Sequence, residues 1–277
     1  MTITTSTRLY VLLGDPVRQS LSPAIQNAAF AAARVDGVYV ALETRAANIA
    51  ALITSIAAAG GGGNITIPHK RAAALAVDQP EAVVSRTGAC NTFWGEGGRV
   101  RGDNTDVAGF RGAARPLSGE LHGARSLVIG SGGAARAVVY ALLDDGGTVD
   151  IVARSVTGAA DLRDRLDPQG KRVRLHEDIG SVRAEAFDLV VNTTPLGMNA
   201  GDPLPVKLES MRLPSAVMDV VYSPGGTALV REARALGIPS CDGLEMLVGQ
   251  AAAAFERWWN TPAPMEAMRR AVTDRKP

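Results

Sequence analysis

Aromatic side chains are scarce in this 277-residue chain, with Phe, Trp and Tyr together making up 4%. A core built without many rings has to be filled by small and branched aliphatic side chains. Cysteine is nearly absent as well. Cys90 and Cys241 lie far apart, match no metal-ligand spacing and are joined by only three histidines, so no metal site is expected. Both cysteines sit in apolar runs, which predicts buried free thiols in a reducing compartment, the cytoplasm. An excess of charge of one sign is missing too. A net charge of +1 with 21% charged residues supplies no electrostatic basis for nucleic acid or a membrane surface as partner. Nor is there a long hydrophobic run. The most apolar stretch, residues 46–63, is mostly Ala and Gly and is broken by Asn48, Thr54 and Ser55, too weak for a membrane span. Residues 1–8 lack a basic segment followed by an apolar one, so no signal peptide is expected.

What is present alternates. At ~100–200 residues per domain the length suggests two domains. Residues 9–13 form a short apolar run ending in Gly14-Asp15-Pro16, a strand followed by a turn. Ser22-Pro23 opens a helix, with Ser as cap and Pro in the first turn. A strand is predicted at 38–42, a helix at 46–59 with Ile49, Leu52, Ile53 and Ile56 on its buried face, and a strand at 63–67. Strands alternating with helices predict a largely parallel sheet. Residues 89–94 and 99–101 read as a hairpin around Gly95-Glu96-Gly97-Gly98, and a helix starts near Asp106. The pattern then restarts. Strands are predicted at 126–129, 149–153, 187–191 and 216–221, and helices at 133–143, 159–166 and 227–236. A second series of strand–helix units implies a second domain. The segment 244–259 is helical, with Leu247, Ala251, Ala254, Phe255 and Trp258 on one face.

Gly130-Ser131-Gly132-Gly133-Ala134-Ala135 fits G-x-G-x-x-G/A, follows an apolar strand and opens an apolar helix. Gly130 permits a tight turn, Gly132 lets the backbone approach a pyrophosphate, and Ala135 allows close helix–strand packing. The helix N terminus adds N–H donors and the positive end of a dipole. The dinucleotide type is set at the end of the second strand, where Ala153, Arg154 and Ser155 stand. Arg154 suits the 2′-phosphate of NADP. Asp150, near that strand's start, points away from a ribose.

The first half carries the polar chemistry. Asn64 and Thr66 alternate with Ile65 and Ile67, Pro68 ends the strand, and Lys70 stands just past its C-terminal end, where open α/β sheets place ligands. Asn91-Thr92 interrupts an apolar strand, and Gly102-Asp103-Asn104-Thr105-Asp106 is a polar turn before the second domain. Amides, hydroxyls, a Lys and an Asp suit a polyhydroxylated ligand, and Lys70 with Asp106 could relay a proton during alcohol oxidation. Ser20 has no structural explanation. Gln250, on an apolar helix face, needs either a backbone or a ligand partner.

These residues resemble the shikimate dehydrogenase family. The matching stretches are Gly14-Asp15-Pro16 with Ser20-Leu21-Ser22-Pro23, Asn64-Ile65-Thr66-Ile67-Pro68-His69-Lys70, Gly88-Ala89-Cys90-Asn91-Thr92 and Gly102-Asp103-Asn104-Thr105-Asp106. Further on come the glycine loop, Asn192-Thr193-Thr194-Pro195-Leu196-Gly197-Met198, Asp219-Val220-Val221-Tyr222-Ser223-Pro224, and the stretch from Asp242 to Gln250. They run in family order over nearly the whole chain. The resemblance implies a two-domain α/β fold, with residues 1–106 and 243–277 forming a substrate-binding and catalytic domain. Residues 107–242 would form an NAD(P)-binding, Rossmann-type doubly wound domain. The implied reaction is reversible hydride transfer between NADP(H) and the ring carbon that is a ketone in 3-dehydroshikimate and an alcohol in shikimate, a step of aromatic amino acid biosynthesis.

Carried over position by position, Ser20, Ser22, Thr66, Asn91, Asp106, Tyr222 and Gln250 would bind a cyclic polyhydroxy carboxylate, and Lys70 and Asp106 would be catalytic. Gly130, Gly132, Gly133 and Ala134 would hold the pyrophosphate, Arg154 the 2′-phosphate, Met198, Val220 and Gly243 would flank the nicotinamide, and Ser131 and Thr193 would also bind the cofactor. In oxidation Lys70 accepts the hydroxyl proton; alternatively it positions the oxygen while Asp106 or water takes the proton. The chain departs from the family pattern at Gln26 (commonly His), Cys90 (commonly Val) and Ala153 (commonly Asn). Three alternatives follow: action on quinate or an amino-substituted analogue, NAD in place of NADP, and a non-catalytic dinucleotide sensor. A monomer or a homodimer is the expected assembly.

Overall fold

A computed structural model describes residues 3–119, 121–199 and 201–274. The chain divides into two compact units, one holding the chain up to Gly109 together with the chain from Leu247, the other Phe110–Met246. The boundaries therefore fall at 109 and 247 instead of 106 and 243. The first turn of the helix that begins at Asp106 stays with the first unit, and Gly243 packs on the second, where an added Cβ would lie 2.1 Å from the Val220 carbonyl oxygen.

The first unit begins with β1 (Arg8–Gly14), α1 (Ser22–Ala33), β2 (Gly37–Glu43), α2 (Ile49–Ala58), β3 (Gly62–Ile65) and α3 (Lys70–Ala76). It continues with β4 (Gln79–Pro80), α4 (Ala82–Thr87), β5 (Thr92–Glu96) and β6 (Arg99–Asp103). The helix α5 (Asp106–Ser118) then leads into β7 (Arg125–Ile129), α6 (Gly133–Asp144), β8 (Thr148–Val152), α7 (Val156–Leu166) and β9 (Val173–His176). After these come β10 (Leu189–Asn192), β11 (Ala216–Asp219), α8 (Ala228–Ala235) and β12 (Ser240–Cys241), and the chain returns through α9 (Leu244–Trp259) and α10 (Met265–Thr273).

The first sheet has the order β2-β1-β3-β5-β6-β4. It is mixed, where the alternation of elements had suggested a largely parallel sheet: β5 runs antiparallel to both β3 and β6. The reason is the hairpin, which closes on Gly97-Gly98 and pairs Glu96 with Arg99, a tighter turn than the four-residue loop read from sequence. The central strand β1 splits its side chains by the strand period of two. Tyr10 and Leu12 enter one core with Phe30, Phe255 and Trp258, while Val11 and Leu13 enter another with Ile49, Ile53 and Phe93. Tyr10, Phe30, Phe255 and Trp258 thus share one face, with the Tyr10 and Trp258 rings 4.7 Å apart.

The second sheet has the order β12-β11-β10-β7-β8-β9, with every pairing parallel. Read from the third strand of this unit outward, that is the 3-2-1-4-5-6 order of a doubly wound dinucleotide-binding sheet, whose order reverses between β7 and β10. Its central strands β7, β10 and β11 are buried at every position but Arg125, as expected of a parallel sheet covered on both faces. Two further expectations change. Leu21, not Ser22, is the N-cap of α1 and no side chain caps that helix, although Pro23 does lie in its first turn. Cys90 is buried as expected, whereas Cys241 is half-buried on an edge strand; both are free thiols.

Candidate active site

In the first unit the backbone sets the position of Lys70 before its side chain acts. Thr66 N–H donates to the Leu13 carbonyl at 2.9 Å, and His69 N–H turns back to the Thr66 carbonyl at 2.9 Å. Gly14 allows Thr66 this approach: a Cβ there would lie 2.3 Å from Thr66 Cγ2. His69 is buried, with Nε2 2.6 Å from the Thr44 carbonyl oxygen. A carbonyl only accepts, so Nε2 carries the hydrogen. Lys70 then opens α3, and its own carbonyl accepts from Cys90 N–H at 2.9 Å. The chain next to Asn91 is thereby tied to the chain of Lys70.

The side chains converge on a carboxylate. Lys70 Nζ donates to Asp106 Oδ2 at 2.5 Å, with side-chain exposures of 15% and 7%. Asp106 is the first residue of α5, where the helix dipole favours a negative charge. Its other oxygen accepts from Asn91 Nδ2 at 2.8 Å. Asn91 Oδ1 in turn accepts from Thr105 N–H at 2.7 Å and from the Thr92 hydroxyl at 2.9 Å. Asn64 Nδ2 donates to Thr92 Oγ1 at 2.9 Å, and the buried Tyr39 hydroxyl donates to Asn64 Oδ1 at 2.9 Å. Because each buried polar group has a partner of the right sense, the network is rigid. Gln250 joins it from α9, with Oε1 3.4 Å from Asn91 Nδ2 and Nε2 donating to the Leu247 carbonyl at 2.9 Å.

Of the remaining substrate-side residues, Ser20, Ser22 and Thr66 make no hydrogen bond to this group. Ser20 and Ser22 follow β1, with their hydroxyls 3.2 Å apart. Thr66 follows β3, the strand next to β1, and its hydroxyl makes no hydrogen bond to another described residue. Lys70, Asp106, Asn91 and Gln250 are thus brought together, while Thr66 follows β3 directly and Ser20 and Ser22 lie where the chain leads from the adjoining strand β1 into α1. Tyr222 belongs to the second unit, half-buried beyond β11. Sequence reading did not single out Tyr39, because its position in a strand gives no sign that its hydroxyl reaches Asn64.

In the second unit the glycine loop lies at the strand-order reversal. Gly130 has φ +115°, and a Cβ on it would fall 2.6 Å from Thr193 Oγ1, so only glycine fits. Thr193 is committed to that turn, its hydroxyl donating to the Ile129 carbonyl at 2.7 Å. Gly132 is the N-cap of α6 with no side-chain cap, and a Cβ there would meet nothing within 4 Å. Open space at an uncapped helix N terminus, bounded by Ser131, Gly133 and Ala134, fits a pyrophosphate. Arg154 is exposed just past β8, making no hydrogen bond or ion pair with a described residue. Asp150 is buried instead, bonded to Arg125 at 2.9 Å and to His176 at 2.6 Å, so no carboxylate from it reaches a ribose. A free cation with no competing acid suits a 2′-phosphate. Met198, Val220 and Gly243 lie beyond β10, β11 and β12; Met198 is 46% exposed and Val220 half-buried. Among the described residues no cluster of His, Cys, Asp and Glu could hold a metal ion.

A family model described as the shikimate dehydrogenase substrate binding domain matches residues 12–93, and one described as the shikimate 5′-dehydrogenase C-terminal domain matches residues 243–273. The chain is 40% identical over 267 residues to the shikimate dehydrogenase (NADP(+)) of Methanocella arvoryzae, covering 96% of this chain and 98% of that protein. Among solved structures, the shikimate dehydrogenase of Aquifex aeolicus superposes with a TM-score of 0.90 at 32% identity, covering 99% of this chain and 100% of that one. The shikimate 5-dehydrogenase of Thermus thermophilus, solved in complex with NADP(H) and shikimate, gives a TM-score of 0.84 at 32% identity over 96% of this chain and 98% of that one. With relatives of this identity spanning both units from end to end, the chain belongs to the shikimate dehydrogenase family.

Proposed function

We propose that this chain catalyses the reversible NADP-dependent interconversion of 3-dehydroshikimate and shikimate. The observation that carries this reading is the Lys70–Asp106 pair at 2.5 Å, with Asp106 held in turn by Asn91 at 2.8 Å. An ammonium bonded to one carboxylate oxygen has two further N–H groups, and one of them can hold the reacting oxygen of the substrate. In the reducing direction Lys70 Nζ gives its proton to that oxygen as the carbon beside it gains hydride. In oxidation Nζ takes the hydroxyl proton back. Asp106 keeps Nζ in place, and Asn91 keeps Asp106 from rotating.

The free hydroxyl of Thr66, the Ser20–Ser22 pair and the amide of Gln250 supply donors and acceptors for ring hydroxyls and a carboxylate. Tyr222 is assigned to the same ligand on the family pattern. Gly130, Ser131, Gly132, Gly133 and Ala134 would hold the pyrophosphate of NADP and Arg154 its 2′-phosphate, beside Met198, Val220 and Gly243 at the nicotinamide. Thr193 supports the glycine turn. When bound, the nicotinamide supplies or accepts the hydride. A cytoplasmic setting accords with two free thiols, and among the described residues no helix is long and apolar enough to cross a membrane.

The test is a steady-state assay with shikimate and quinate, each with NADP and NAD, followed at about 340 nm, where reduced nicotinamide absorbs. The expected order places shikimate with NADP highest in kcat/KM. No turnover with that pair, or a higher kcat/KM for quinate, overturns the assignment.

A further inference from the structure

Two residues of the second unit form a device that the proposed chemistry does not use. Asn192 and Asp219 are the last residues of β10 and β11, and they face each other in register across these parallel strands. Both are completely buried. Asp219 Oδ1 accepts from Asn192 Nδ2 at 2.8 Å and from Val221 N–H at 3.0 Å, while Oδ2 accepts from the Thr227 hydroxyl at 2.7 Å. Asn192 Nδ2 also donates to the Leu196 carbonyl at 3.0 Å, and its Oδ1 accepts from Thr194 N–H at 3.0 Å and the Thr194 hydroxyl at 2.7 Å.

One carboxylate oxygen is therefore the joint between two loops. Residues 194–198, beyond β10, are held to it through Asn192. Val221, beyond β11, is held to it directly, and Thr227 further along the same loop is held to the other oxygen. The first loop ends at Met198, and the second carries Val220 and Tyr222. Among the described residues no cation pairs with Asp219. A buried carboxylate without a counter-ion is costly and is kept by its three donors alone. Strand pairing does not need it, because the ladder between β10 and β11 is complete from Leu189↔Ala216 onward.

We propose that Asp219 is a positioning residue for hydride transfer, setting the loop of Met198 and the loop of Val220 and Tyr222 at one relative position through Asn192, Val221 and Thr227. This inference rests on the assignment of those residues to the nicotinamide and substrate. The Gly130–Ala134 loop and Arg154, assigned above to the phosphates, make no hydrogen bond to Asp219. Loss of Asp219 therefore separates reactivity from affinity.

The experiment compares Asp219→Ala, Asp219→Asn and Asn192→Ala with the wild type. NADPH binding is measured directly by fluorescence, turnover by steady-state kinetics, and folding by thermal unfolding. In Asp219→Ala, kcat is expected to fall on the order of 10- to 100-fold, the cost of a misplaced reacting group. The NADPH Kd and the shikimate KM stay within about twofold. Asp219→Asn keeps the oxygen that joins the loops, and its kcat stays within about threefold of wild type. Asn192→Ala shows the same separation of kcat from Kd, and the double alanine variant is no worse than Asp219→Ala. An unchanged kcat in Asp219→Ala, a Kd that rises in step with the loss of kcat, or an Asn variant as impaired as the Ala variant overturns the proposal. If Asp219→Ala does not fold, Asp219→Asn and Asn192→Ala decide it by the same criteria. If the wild type itself turns over neither shikimate nor quinate, the activity assignment fails. The inference is then judged by amide hydrogen exchange, which Asp219→Ala must raise at 194–198 and 220–222 while leaving 130–135 unchanged.

Discussion

Asn91 donates from Nδ2 to Oδ1 of Asp106 at 2.8 Å, which leaves the other carboxylate oxygen to Lys70. The sense of that bond is fixed from behind, because the backbone N–H of Thr105 occupies Asn91 Oδ1 at 2.7 Å and can only donate. Asn91→Ala removes the brace and frees the carboxylate to rotate. Turnover is expected to drop on the order of 10- to 100-fold with NADPH affinity unchanged. A variant with wild-type kcat would show that Asp106 needs no brace.

Lys70→Ala removes the group that holds the reacting oxygen. Its expected cost is on the order of 10²–10⁴ in kcat, the range for a positioned acid–base group, with a modest change in shikimate binding. Binding can be followed by calorimetry. Unaltered turnover would exclude Lys70 from the chemistry, and Asp106 would then need another proton partner.

Arg154→Ala tests the cofactor choice. The guanidinium has no partner among the described residues, so it is available to a 2′-phosphate. Removing one charge-assisted hydrogen bond of about 1.5–3 kcal/mol lowers kcat/KM for NADP roughly 10- to 150-fold and leaves the value for NAD unchanged. Equal losses with both cofactors would place the 2′-phosphate elsewhere.

Asp219 also imposes a pH dependence on stability. Burial pushes its carboxyl up from 3.8 to about 6, opposed by donation from Thr227, Val221 and Asn192 and reinforced by the negative charge of Asp242. The folded state thus holds this proton more tightly than the unfolded chain does. The stabilisation is fully present below pH 4 and is lost as the pH rises through 6, by at most about 3 kcal/mol. Relative to Asp219→Asn, the wild type should therefore lose stability between pH 4 and pH 7. Urea unfolding of both proteins at the two pH values measures it, and a constant difference between them would contradict the burial argument.

The two thiols should be inert in the folded protein. Burial pushes both Cys90 and Cys241 up to about 12. Only the thiolate reacts with alkylating or disulfide reagents, and at pH 8 it would make up about one part in ten thousand. Both should react only after unfolding in denaturant, and rapid labelling of native Cys241 would refute its inertness.

Much of the architecture was legible because it is periodic. The strands around Val11 and Val128 and the helices carrying Ile53 and Phe255 announce themselves through runs and spacings of apolar residues. What escaped the sequence was short: α3, α4, β4, β9 and β12 hold from two to seven residues, too few for a period to be read. The helix α10 escaped for a related reason, since Met268 is its one fully buried residue. The hairpin of the first sheet was legible, but where it turns was not, because Gly95, Gly97 and Gly98 around Glu96 offer more than one place, and that β5 also pairs antiparallel with β3 is a long-range fact.

The sequence by itself determined the inventory of the site: a Lys just past one strand, an Asp at the head of a helix, amides in apolar strands, a glycine loop and a free Arg. These are local facts, written in the contrast between polar residues and the apolar stretches they interrupt. Only the tertiary structure decided the partners. Tyr39 reaches Asn64, Asn91 takes Thr105 on one side and Asp106 on the other, and Asn192 meets Asp219, across separations of 14 to 27 residues. Such pairings follow from strand order and register, which bring distant residues within about 3 Å, and hydrogen bonds act over no greater distance.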